Sequence, residues 1–261
     1  MRYCRGRTII LLERPLQSHP GRRRSPIQIV VVHLLFNRLK TKLSHIEQAI
    51  YDARASVELT RLGLPYLPWP ASAIAPSALM SILNELQINH RNTVVEFGSG
   101  LSTIYMAKVL KQRGGYVTSI EHDSGWAALV QEWINRSGLE QVARIVVAPL
   151  ASCPSALEGN QWYDQNIVAK AIASLEIDCV LVDGPPAYAP GAQLARYPAF
   201  EAVKSHLGTE RHVIFLDDIG RPGEQAIVKR WSAQSGLTFE MMPARGGIAR
   251  AVKGPAYHSA I

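Results

Sequence analysis

Three carboxylates at the ends of two apolar runs are the residues best placed to do chemistry. Asp183 closes DCVLVD, and Asp217 and Asp218 close VIFLDD. Each run has the length and composition of a buried strand, so all three acids would face one crevice at the strand ends. Carboxylates brought together repel unless hydrogen-bond donors or a hard divalent cation neutralise them. The alternative needs no ion: Asp218 caps the following helix and Asp217 is hydrogen-bonded in its loop. Asp183 is the leading candidate to take a proton from a bound substrate. Arg196 and Arg221 fall in the loops after these strands, where a guanidinium can grip an anionic or sugar substrate. Arg221 can equally pair with Glu224 or with an aspartate.

A second constellation lies upstream in TVVEFGSGLST, residues 93–103. Gly98, Ser99 and Gly100 form a turn directly after an apolar run and before a helix. Such a turn lets a ligand approach the backbone and offers it the N–H groups of a helix N-terminus. Glu96 is an acid inside the end of a buried strand, where it needs a cation or donors. Ser102 stands where a dinucleotide fingerprint has its third glycine, which disfavours tight cradling of a pyrophosphate. Glu121, 25 residues beyond Glu96, ends the next apolar run, where an acid can accept both hydroxyls of a ribose.

The elements that must position these residues alternate. Strands are expected at residues 93–97, 116–121, 143–147, 178–183 and 212–217. Helices are expected from Pro76 to about Leu86 and over 102–112, 124–135, 198–206 and 224–234. That alternation implies a mostly parallel sheet covered on both faces. The last two strands, 237–241 and 248–252, are joined by the Gly246–Gly247 turn and imply an antiparallel hairpin at the sheet edge. Trp162, Tyr163 and Asp164 fall in the long loop after residue 147, either as an aromatic wall for a substrate or as the foot of that loop. Cys179 alternates into a buried strand as inert core, and His206 and His212 lie away from the ligand edge.

The domain begins at residue 76 and runs to 261. Before it, residues 27–75 hold a helix over Val31–Leu62 and a proline-rich connector, Leu64–Pro76, placed as a lid near the crevice. Leu39, Leu43, Ile46, Ile50, Ala53 and Val57 step by four and three, a heptad seam that suits either docking on its own domain or a homodimer. Residues 1–26 form a basic leader expected to be disordered. Its first 24 residues hold seven Arg and one acid, so most of the chain's net charge of +7 is there and the body is nearly neutral. Binding of nucleic acid by the folded body is therefore not expected. The longest apolar run, Ile27–Phe36, is broken by Gln28 and His33 and is far short of the ~20 residues needed to span a bilayer. Three cysteines without CxxC spacing give neither a disulfide framework nor a zinc site, which points to the reducing cytoplasm.

The series VVEFGSGLST, SIEHD, DCVLVDGPP and VIFLDD, with the closing hairpin, resembles the class I S-adenosylmethionine-dependent methyltransferases over roughly Pro76 to Lys253. The resemblance implies a Rossmann-like, doubly wound α/β fold with a seven-stranded sheet and, here, an N-terminal helical extension. It implies that Glu96 and the turn Gly98–Gly100, with Ser102 and Thr103, serve the methionine end of S-adenosylmethionine. Glu121 would take the ribose, with His122 or Trp126 near the adenine. Residues 147–150 supply no acid, so adenine recognition there would fall to the main chain. The acids Asp183, Asp217 and Asp218 resemble the magnesium-binding set of metal-dependent O-methyltransferases of catechol and sugar-modifying types. Pro185-Pro186 departs from the sugar type, which usually carries another acid there. The expectation is in-line methyl transfer to a hydroxylated small molecule or saccharide, with Mg2+ assistance as one variant. The rivals are a metal-free methyltransferase, an aminopropyl transferase, and a non-catalytic nucleotide-binding module. Chelation, decarboxylated cofactor and an acceptor screen separate them in turn.

Overall fold

The computed structural model describes residues 26–257, with side chains from Arg38 onward. The leader expected over residues 1–26 lies outside them, save for Pro26. The chain divides into two units, Met1–Leu43 and Ser44–Ile261. Helix α1 (Pro26–Thr60) supplies what is described of the first unit and opens the second. No helix among the described residues is long and apolar enough to cross a membrane.

In the second unit, α2 (Pro76–Ile88) is followed by β1 (Thr93–Phe97), α3 (Leu101–Lys111), β2 (Tyr116–Glu121), α4 (Ser124–Arg136) and β3 (Ala143–Val147). Next come two short strands, β4 (Leu150–Ser152) and β5 (Gln161–Tyr163), and α5 (Gln165–Ile172). The chain continues through β6 (Cys179–Val182), α6 (Pro198–Val203), β7 (His212–Asp217), α7 (Pro222–Ser235), β8 (Phe239–Met242) and β9 (Ile248–Lys253). Seven strands form one sheet in the order β3-β2-β1-β6-β7-β9-β8. The first five are parallel, and β9 runs antiparallel to both β7 and β8. This is the doubly wound sheet with an edge hairpin that the alternation of elements implies.

Burial on both faces explains the continuous apolar runs of β6 and of Val213–Leu216 in β7, and Glu96 is the one acid inside β1. Val94, Leu181 and Phe215 pack under α2, α3 and α4, whereas Val95, Val180 and Ile214 pack on the opposite side with Trp162 and Trp231. The segment expected as a loop after β3 holds β4 and β5, which pair antiparallel outside the main sheet. Asp164 then caps α5, accepting from the backbone N–H groups of Asn166 and Ile167. The end of α1 is fixed to α2 by Asp52, whose Oδ1 accepts from the N–H and hydroxyl of Ser77 at 3.0 and 2.6 Å. Ala55 and Leu59 are buried on that side.

Candidate functional site

The sheet order reverses between β1 and β6, and a crevice opens above the carboxyl ends of the parallel strands there. Glycine allows the two loops to touch at its floor. Gly98 has φ of +94°, and a Cβ on it would lie 3.0 Å from the backbone nitrogen of Gly184. A Cβ on Gly184 would collide with the Tyr163 hydroxyl. The cavity above this floor has a volume of about 530 Å³. It is lined by the turn Gly98–Gly100, by Glu121 and by the three aspartates, and Pro70–Ala75 of the connector forms part of its wall.

Glu121 ends β2 and is nearly fully buried. One of its oxygens accepts from the Ser99 N–H and hydroxyl at 2.9 and 3.0 Å. The other accepts from the N–H groups of His122 and Asp123 at 2.7 and 2.9 Å, with His122 Nδ1 at 2.8 Å. Trp126 is drawn to the same place, since its indole N–H donates to the Ser99 carbonyl at 2.8 Å. Ser99, Glu121, His122 and Trp126 thus form one connected corner of the cavity, and Ser102 borders it.

Glu96 does not line the cavity. It lies beneath the turn, wholly buried, and accepts hydrogen bonds from the hydroxyls of Ser102 and Thr103. Thr103 Oγ1 in turn accepts from the Gly100 N–H at 3.0 Å, so Glu96 braces the turn through Thr103. Burial outweighs these donors and pushes the Glu96 pKa up from 4.5 to about 7. A folded-state pKa above the unfolded one means that folding favours the protonated acid. The stability gained is complete below about pH 4.5 and is lost as pH rises through 7. That shift is on the order of 3 kcal/mol. Glu96→Gln is therefore expected to flatten the fall in melting temperature between pH 5 and pH 8 and to raise it at pH 8. An unchanged slope would contradict this reading.

The acidic side is held together by Arg196. This side chain, only 3% exposed, enters from the turn before α6. Its Nη2 donates to the Asp183 carbonyl at 2.8 Å and lies 3.3 Å from Asp183 Oδ1 and 3.2 Å from Asp218 Oδ2. Nη1 donates to the Asp217 carbonyl at 3.2 Å, and Nε to the Pro185 carbonyl at 3.3 Å. Arg196, expected from sequence to reach substrate, thus has its donors engaged with the site's own framework. Arg221 Nη1 pairs with Asp218 Oδ2 at 2.9 Å and lies 3.5 Å from Glu224. Asp218 sits at φ of +62°, a left-handed conformation uncommon for a residue with a Cβ and frequent at strained functional turns.

Oxygen atoms of Asp183, Asp217 and Asp218 lie within 4.8 Å of one another. Burial, with Asp218 and Glu96 nearby, raises the Asp183 pKa to about 7 even though Arg196 opposes the shift. Burial, then Asp183 and Asp218, push Asp217 well above the carboxylate range. Burial works against the Arg196 charge, but the surrounding carboxylates outweigh it and push its pKa up. Asp217 Oδ1 is buried without a hydrogen-bond partner among the described residues.

One lining residue, Arg245, escapes sequence reasoning, and Tyr163 is one of the residues for which an aromatic wall is an expected alternative. Arg245, exposed at the rim before the Gly246–Gly247 turn, has no ion-pair partner among the described residues. Tyr163 lines the cavity with a buried hydroxyl that has no hydrogen-bond partner among the described residues. No periodicity marks Arg245. Tyr163 follows a tryptophan in a segment with too few residues to read as a strand.

Residues 95–219 match the sequence model of a family described as a methyltransferase domain. No curated protein matches the chain. Among solved structures, a Staphylococcus aureus protein assigned as a caffeoyl-CoA O-methyltransferase superposes with a TM-score of 0.54 at 14% identity, covering 84% of this chain and 100% of its own. An O-methyltransferase from Bacillus cereus, solved with SAH, gives 0.54 at 17% identity over 78% of this chain and 90% of its own. TomG, an O-methyltransferase of tomaymycin synthesis from Streptomyces achromogenes solved with SAM, gives 0.50 at 16% identity over the same shares.

Proposed function

We propose that the chain is a class I S-adenosylmethionine-dependent methyltransferase and that it methylates a hydroxyl oxygen of a small molecule or saccharide. The observation that carries this reading is a single cavity joining the Gly98–Gly100 turn and Glu121 to Asp183. The turn that Glu96 and Thr103 brace would hold the methionine end of the cofactor. Glu121, beside Trp126, would hold the ribose hydroxyls in place of its present partners, the Ser99 hydroxyl and the His122 ring. The bound cofactor would supply the methyl group for in-line transfer to the acceptor oxygen, with S-adenosylhomocysteine as the leaving group. Asp183, whose pKa of about 7 suits the task, receives the hydroxyl proton. Arg221 and Arg245 at the cavity rim meet polar or anionic groups of the acceptor.

The acids fit a divalent cation. When ionised, Asp183, Asp217, Asp218 and Glu224 outnumber Arg196 and Arg221 by two charges, an excess that a cation would neutralise in place of protons, and Asp217 Oδ1 has no donor among the described residues. Asp183, Asp217 and Asp218 would hold Mg2+, which would lower the pKa of an acceptor hydroxyl. A metal-free variant is favoured by Arg196, which already bridges Asp183 and Asp218. Calorimetry with S-adenosylhomocysteine, with and without magnesium, tests both levels. Micromolar binding is expected, and absence of binding would overturn the cofactor assignment. If chelator and Asp217→Asn leave turnover unchanged, the metal-free form stands.

A further inference from the structure

We propose that α1 pairs with the α1 of a second copy of this chain in a parallel, in-register coiled coil. The helix has two faces. Asp52, Ala55 and Leu59 point to the body of the second unit, the first bonded to Ser77 and the other two buried. Ile46, Ile50, Ala53 and Val57 lie roughly 160° around the helix from that face, at 100° per residue. The three large side chains of this set are 57%, 62% and 61% exposed. Docking on the chain's own domain, the competing use of this seam, is thus served by the opposite face.

The seam is a heptad pattern. Leu43, Ile50 and Val57 take a positions, and Leu39, Ile46 and Ala53 take d positions, with Leu39 and Leu43 58% and 64% exposed. Branched apolar residues at alternating spacings of three and four suit knobs-into-holes packing against an identical helix. Charge selects the orientation. Lys42 is at a g position and Glu47 at the next e position, so a parallel in-register pair sets Lys42 of each copy against Glu47 of the other, twice by symmetry. An antiparallel pair centred near Glu47 sets the two glutamates together and Lys40 near Arg54, which repel. The seam from residue 39 to 57 is about 28 Å long, which suits a dimer of micromolar affinity rather than a permanent one.

Sedimentation equilibrium of the full chain is expected to show reversible dimers at tens of micromolar. Ile46→Glu/Ile50→Glu is expected to be monomeric, with a melting temperature close to that of wild type at concentrations well below dimerisation, because both side chains are mostly exposed in the monomer. Lys42→Glu is expected to weaken dimerisation several-fold, and adding Glu47→Lys to restore it. In a Cys4→Ser background, Ile50→Cys should form a self-disulfide on mild oxidation, as only a parallel in-register pair brings these positions together. A monomeric wild type, a dimer that survives Ile46→Glu/Ile50→Glu, or a seam that binds anionic vesicles instead of a second chain would each overturn the proposal.

Discussion

Asp183→Asn is expected to lower kcat by about 10²–10⁴-fold while S-adenosylhomocysteine binds within threefold of wild type. The amide keeps the shape of the carboxylate and can still accept from Arg196, which lies 3.3 Å from Asp183 Oδ1, so the scaffold survives the change. What is lost is the capacity to receive a proton. The carboxyl that does so is unusual in its setting: burial raises its pKa to about 7, and the Arg196 guanidinium limits the rise. It is thus partly ionised near neutrality, where a general base acts most effectively. The wild-type rate should accordingly climb with pH through about 7 and then level, and this limb should vanish in the variant. Release of S-adenosylhomocysteine in the presence of a panel of catechols and saccharides supplies the assay. Loss of less than tenfold, with an unchanged pH profile, would remove Asp183 from the chemistry.

The legible parts of this molecule are those in which one strand carries its own signal. Segments β1, β6 and β7 each bury both faces, so adjacent residues such as Val94 and Val95, or Phe215 and Leu216, are both apolar. The glycine turn and the acids at strand ends follow from where those segments stop. Parts that depend on a partner remote in sequence are not legible in this way. Strands β4 and β5 have three residues each and exist through their pairing with one another. Sequence places Glu96 at a strand end but leaves its direction open; the hydroxyls of Ser102 and Thr103, one helical turn later, draw it beneath the loop. Arg196 reads as a loop residue free to grip a substrate. Its insertion between Asp183 and Asp218 depends on two strand ends brought together by the sheet. The seam on α1 was visible as a period, but only the burial of Ala55 and Leu59 decides which face is left for a partner.

The same insertion makes Arg196→Met the substitution with the largest expected cost to the fold. Removing one partner of a buried charge network strands the others, and such losses amount to about 3–5 kcal/mol. Here the stranded groups are Asp183, Asp218 and Glu224, together with three backbone carbonyls that accept from the same guanidinium. Methionine fills much of the volume but offers no donor, so the loss is one of charge and hydrogen bonding more than of packing. The sign of its pH dependence follows from Asp183. Arg196 holds that pKa down against burial, so without it the folded-state value rises further above the unfolded one. Stability that depends on a protonated acid disappears as pH rises, and the variant should fall furthest behind wild type at pH 8. Near pH 4 the gap should narrow to the cost of the lost carbonyl bonds. A melting series from pH 4 to 8 reads this directly, and a gap independent of pH would mean that the arginine serves packing alone. Repeating the series with 10 mM magnesium asks a further question. Carboxylates released from the guanidinium have more charge to offer a cation, so the ion should stabilise the variant more than the wild type. An equal effect on both would mean that the three aspartates do not form a cation site once the arginine is gone.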